Sequence, residues 1–85
     1  MPALNYVSQT PQNVSVTYTD MPAGTNAVFV NQVSGQQTPS QSGAMSKGGS
    51  GSADIPISGL ALGEYYLQGQ NSGQSIARTV MFYIN

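Results

Sequence analysis

The sequence predicts an all-β protein: a single antiparallel sandwich of about six to seven short strands. Three observations predict it. Short runs alternate apolar and polar residues, no window carries a sustained i, i+3, i+4, i+7 apolar stripe, and Gly, Pro, Asn and Ser punctuate the chain about every 8–12 residues. With 85 residues there is room for one domain. At this size folding buries roughly 63% of the chain's surface, enough for a thin two-layer core without a deep pocket.

The first strand is expected over residues 4–8, closed by Thr10-Pro11. The second, over 13–19, is the clearest, with Val14, Val16 and Tyr18 on one face and Ser15, Thr17 and Thr19 on the other. Its predicted stop is Asp20-Met21-Pro22, before the turn residues Ala23-Gly24. The third covers 27–33, where Val28 and Val30 oppose Ala27, Phe29 and Val33; apolar residues on both faces predict a central strand.

Residues 34–52 break the rhythm. They are rich in Gly, Ser and Gln, with Ala44 and Met45 as their only apolar pair. Such composition buries too little surface to offset its ordering entropy. Either a short edge strand lies at 44–46, or the whole segment is a flexible loop within the domain. Order resumes over 53–57, where Ala53, Ile55 and Ile57 alternate with Asp54 and Pro56. A proline there removes a ladder donor and predicts an edge position or a strand end.

Residues 65–70 and 75–84 form a predicted hairpin about Asn71-Ser72-Gly73-Gln74. Pairing in register sets Tyr65 opposite Val80, Leu67 opposite Arg78 and Gly69 opposite Ile76. Tyr65, Leu67, Ile76, Val80, Phe82 and Ile84 then share the buried face. Arg78 interrupts that face, so the reading requires a bulge near Arg78 or a guanidinium that reaches the sheet margin. Gly24 and Ser34-Gly35-Gln36 echo Gly63 and Ser72-Gly73-Gln74, which reads as two similar hairpin corners rather than a repeat.

The stretch 55–67, Ile-Pro-Ile-Ser-Gly-Leu-Ala-Leu-Gly-Glu-Tyr-Tyr-Leu, resembles the corner between the fifth and sixth strands of fibronectin type III and bacterial immunoglobulin-like domains. Its Leu-x-x-Gly-x-Tyr pattern falls on Leu60, Gly63 and Tyr65. The resemblance implies an immunoglobulin-like β-sandwich, with Leu60 plugging the end of the core, Gly63 in a tight turn and the Tyr65 hydroxyl bonded back to the corner backbone. The chain departs from these families in lacking Trp, a Cys pair and a short link between its third strand and residue 53. No catalytic residue comes with the resemblance.

Composition narrows the chemistry. Only Asp20, Lys47, Asp54, Glu64 and Arg78 ionise, 6% of the residues, against about 25% in ordinary domains. Two cations argue against nucleic acid and against anionic lipid surfaces, both of which need several Lys or Arg. No run is long and apolar enough to span a bilayer, and the first residues lack the pattern of a signal peptide. The absence of His and Cys removes the usual general base and the thiolate. A Ser or Thr nucleophile would have only Lys47 as its base. Asp20, Asp54 and Glu64 read as turn and margin residues, not as a glycosidase pair or a Ca²⁺ site. Asn13-Val14-Ser15 matches a glycosylation sequon by chance spacing.

No catalytic residue, cofactor or metal is therefore expected, and the chain reads as a non-catalytic structural or interaction module. An uncharged polar surface fits a protein outside the cell, on an appendage or in a virus particle. The candidate interaction surface is Tyr66, Gln68, Gln70, Met81 and Tyr83, on the face of the terminal hairpin opposite the core. A protein partner is the first expectation, and a glycan held by the tyrosines and amides the second.

Overall fold

The computed structural model describes residues 1–40, 43 and 45–85. Those residues form eight strands and no helix: β1 (Ala3–Gln9), β2 (Asn13–Met21), β3 (Asn26–Asn31), β4 (Gln37–Pro39), β5 (Gly49–Pro56), β6 (Gly63–Asn71), β7 (Gln74–Arg78) and β8 (Phe82–Ile84). One sheet has the order β1-β2-β5. The other runs β4-β3-β6-β7, with β8 continuing beside β6 where β7 ends. Every pairing is antiparallel. The chain is a β-sandwich.

Alternation within β2 decides how the first sheet faces the second. Val14 lies opposite Ile55, Val16 opposite Ala53 and Tyr6, and Tyr18 opposite Leu4. Leu4, Val14, Val16 and Ile55 are buried, while Tyr6, Tyr18 and Ala53 pack against them half-buried. The second sheet meets them with Ala27, Phe29, Tyr65, Leu67, Phe82 and Ile84. The Phe82 ring joins the layers: it stacks on Tyr6 at 4.8 Å and 17°, and meets Phe29 edge-on at 6.4 Å and 81°. Each fully buried Val, Leu, Ile or Phe among them contributes about 1.5–3 kcal/mol on leaving water.

At one end of the core the Tyr65 hydroxyl donates to the Ala61 carbonyl at 2.8 Å. The Leu60 amide donates to the Ile57 carbonyl, and its side chain packs against the core. Both β3 and β6 end in hairpin corners. In the first, the Asn31 side chain accepts from the Val33 and Ser34 amides, both at 2.9 Å. In the second, Ser72 and Gly73 have φ of 52° and 79°, the two positive values a type I′ turn demands.

Several strand limits differ from the sequence reading. β2 runs on to Met21, past the expected stop at Asp20, because an irregularity between Tyr18 and Met21 lets Met21 pair with Gly49; Asp20 takes up the slack at φ 52°. β3 ends at Asn31, whose capping of the next two amides turns Val33 outward, 89% exposed. An eighth strand arises because the expected last strand is two, β7 and β8, and because β4 adds a short one beside β3.

The Gly/Ser/Gln-rich segment holds β4 and the start of β5. Gly51 and Ser52 lie opposite Tyr18 and Thr17, so backbone pairing to β2 makes a strand where no apolar pattern announces one. A Cβ on Gly51 would stand 3.0 Å from the Tyr18 hydroxyl, and glycine leaves that ring its place. Gly48 is more restricted: at φ 79°, its Cβ would stand 2.7 Å from the Met21 carbonyl oxygen and 2.8 Å from the Ala23 nitrogen. Of the strand considered at 44–46, Ala44 lies outside the described residues; Met45 and Ser46 are in a turn, with Met45 buried in the core. Pro56 is the last residue of β5, a strand that among the described residues pairs with β2 alone.

The terminal hairpin corrects the expected register. Gln68, not Leu67, lies opposite Arg78, and Phe82, not Val80, lies opposite Tyr65. Pairing is in the expected register only at Asn71 and Gln70. It slips by one residue at Ile76, leaving Gly69 opposite Ala77, and by one more across Thr79, Val80 and Met81. The first slip turns Arg78 outward. The second restores Phe82 and Ile84 to the core and leaves Val80 72% exposed. Thr79 makes the second slip tolerable: its amide donates to the Leu67 carbonyl at 2.9 Å, and its hydroxyl accepts from the Leu67 amide at 3.0 Å. A side-chain oxygen thus stands in for the ladder carbonyl of a buried N–H. Ile76, expected in the core, is half-buried.

Candidate functional site

The two slips build a surface on the outer face of the second sheet. Tyr66 projects there from β6, opposite Val30. The first slip sets Arg78 beside it, with the guanidinium carbon 5.2 Å from the Tyr66 ring centroid. Across the second, Val80 stands outward at 72% exposed beside Met81 at 54%. Together with Gln32 and Thr79 these residues line an open groove of about 450 Å³.

Of the five predicted surface residues, Tyr66 and Met81 line the groove. Gln68 and Gln70 lie next to it, half-buried, on the same face of β6. The Gln70 amide nitrogen donates to Gln68 Oε1 at 2.6 Å and to Gln37 Oε1 on β4 at 3.0 Å. This amide row covers Val28 and Val30, which are buried although they point away from the inter-sheet core. Tyr83 stands on the same face farther along, opposite Glu64 and outside the groove, and is exposed.

Sequence reasoning missed Gln32, Gln37, Arg78 and Val80. The signal for Arg78 was present as a charge on a face expected to be apolar. A shift of the hairpin register by one residue resolves that conflict, and it is the shift the structure contains.

Electrostatics at the groove are simple. Arg78 is exposed, and among the described residues the only ion pair is between the Met1 amine and Asp20, so no carboxylate neutralises the guanidinium. Its positive charge is attracted to the electron-rich face of the Tyr66 ring, an arrangement worth about 0.5–1 kcal/mol at exposed sites. Glu64 is half-buried on the same face, opposite Tyr83 and outside the groove, and makes no ion pair with Arg78. Asp54 accepts from the Ser15 hydroxyl at 2.6 Å on the outer face of the first sheet, and the Asp20 amide donates to the Ser50 hydroxyl. Lys47 is exposed in the turn before β5. Among the described residues no three acidic, His or Cys side chains come together in a metal-binding group. No helix there is long and apolar enough to cross a membrane.

Comparison with known families, curated proteins and solved structures finds no family model, no protein and no structure that matches this chain.

Proposed function

We propose that this chain is a non-catalytic interaction module, an immunoglobulin-like domain of the surface or decoration type, that binds a protein partner through the outer face of its second sheet. One observation carries the reading: Tyr66, Arg78, Val80 and Met81 are gathered round one groove. Tyr, Arg and Met are the residue types enriched in protein interfaces, and a stacked Arg–Tyr pair is held ready at little further cost in side-chain entropy. The strand order β1-β2-β5 and β4-β3-β6-β7, with the Tyr65 hydroxyl closing the corner, supports the likeness to fibronectin type III and bacterial immunoglobulin-like domains.

The test is affinity capture from the source's envelope or particle fraction with wild-type protein and with an Arg78→Ala, Met81→Ala double variant. The reading expects a partner that wild type retains and the variant loses. A partner retained equally by both contradicts it.

A second reading rests on the amide row of Gln37, Gln68 and Gln70 beside Tyr66. Planar amides next to an aromatic ring suit sugar hydroxyls and a sugar face, which is the carbohydrate-binding alternative, either as a free module or as an accessory domain of a larger extracellular protein. A glycan array with no signal removes it, as does a Tyr66→Ala variant that binds glycan unchanged.

A further inference from the structure

The strands at the sheet margins are protected unequally. β4 is three residues long and ends in Pro39. β7 carries the slip at Ile76 and the charge of Arg78. β1 has an irregularity between Tyr6 and Ser8, and its margin is covered by the end of the chain: the Gln9 side-chain amide donates to the Tyr83 carbonyl, and Tyr6 stacks on Phe82. Shortness, proline, charge, bulges and covering segments are the devices by which sheets blunt their edges.

β5 is the least protected: its one charge is Asp54, its proline is its last residue, its irregularity is confined to the end at Gly49–Gly51, and no segment among the described residues pairs with its outer margin. It is eight residues long and its register to β2 is unbroken from Pro56 to Gly51. It carries no cation, and Gly49, Ser50, Gly51, Ser52 and Asp54 are all exposed. The Ile57 amide donates inward to the Gln12 carbonyl at 3.0 Å. Because backbone groups alternate along a strand, the amides of Asp54, Ser52 and Ser50 point away from β2. Pro56, which has no amide, falls in the same outward set, the position at which an edge strand tolerates proline.

We propose that β5 pairs antiparallel with β5 of a second copy of this chain, about a two-fold axis at Ser52. This goes beyond the proposed function and uses the margin of the other sheet. In that register Ser52 exchanges both backbone hydrogen bonds with Ser52 of the second copy, and Asp54 faces Ser50 of the second copy. No like charges meet. A register centred on Asp54 would set two carboxylates face to face, which is destabilising. The added ladder stops where Pro56 has no donor to give.

Single-cysteine variants read this register, because the natural chain has no cysteine. Directly opposed residues in a hydrogen-bonded antiparallel pair have Cα atoms about 5.5 Å apart, within the range a disulfide spans. Under mild oxidation Ser52→Cys is expected to become a covalent dimer, while Ser50→Cys, which faces Asp54 rather than itself, stays monomeric. Sedimentation velocity on the wild type is expected to show a dimer that grows with concentration. Ser52→Lys, which opposes two ammonium groups, is expected to abolish that dimer with the circular dichroism of the fold intact. Wild type that remains monomeric at every concentration, or equal cross-linking of the two cysteine variants, overturns the proposal. Loss of the captured partner without loss of the dimer would separate the groove reading from this one.

Discussion

The outer faces of the two sheets are built from different materials. On the first, Asn5 lies opposite Thr17, Ser15 opposite Asp54 and Thr17 opposite Ser52: short polar side chains in regular pairs. On the second, Val28 and Val30 lie buried beneath Gln37, Gln68, Gln70 and Tyr66, with Arg78, Val80 and Met81 at the margin. A face of Ser and Thr needs only water as its partner. A face with apolar and aromatic residues gathered round a groove is where a protein places its contacts. The difference arises in the backbone: the β2–β5 ladder keeps its register over most of its length, whereas the β6 ladder slips twice along its free side.

The core shared by both sheets should respond most strongly. Phe29, 1% exposed and edge-on to Phe82, is expected to cost about 3–5 kcal/mol as Phe29→Ala, read from urea unfolding midpoints. A cost below that of an ordinary surface change would mean the layers are not packed through this ring.

The next two predictions separate the sheets. The first sheet is vulnerable through its backbone. Gly48→Ala forces a Cβ against the Met21 carbonyl at a positive φ, and is expected to cost about 2–3 kcal/mol. The second is vulnerable through a hydroxyl. Thr79→Val keeps the shape but strips the buried Leu67 amide of its acceptor, and is expected to cost about 1–3 kcal/mol. Urea midpoints and the exchange rate of the Leu67 amide check both. A protected Leu67 amide in Thr79→Val would show that some other group closes the slip.

The smallest effects fall on the outer faces. Arg78→Ala is expected to lose about 0.5–1 kcal/mol with the Tyr66 contact, and Thr17→Ala to stay within about 0.5 kcal/mol of wild type. Their effects on binding are expected to differ far more than their effects on stability, Arg78→Ala alone weakening partner capture. Equal binding by the two variants would erase the distinction between the faces.

Much of the fold was legible because alternation in a half-buried strand reports its inner face directly. Tyr65, Leu67, Phe82 and Ile84 are expected in the core and lie there, and the face predicted to carry Val14 and Val16 is the one that meets them. The hairpin turn was legible because a type I′ turn needs residues that accept positive φ, and Ser72-Gly73 supplies them. What stayed hidden depended on partners distant in sequence. β4 and the start of β5 are strands because β3 and β2 lie beside them, and Gln, Thr, Gly and Ser carry no signal of that. Met45 sits in the core through a turn whose local composition reads as solvent-exposed. The surface was half legible. Tyr66 and Met81 followed from facing, but Arg78 and Val80 required a register that a threonine hydroxyl makes possible, and no periodicity encodes a side chain acting as backbone.

The two slips are the claim on which the rest depends, since together they turn Arg78 and Val80 outward while keeping Phe82 in the core. Cross-strand backbone nuclear Overhauser effects test it most directly. The structure predicts contacts between Gln68 and Arg78 and between Tyr65 and Phe82. Contacts between Leu67 and Arg78 and between Tyr65 and Val80 would mean the hairpin pairs without slips, and would contradict the account.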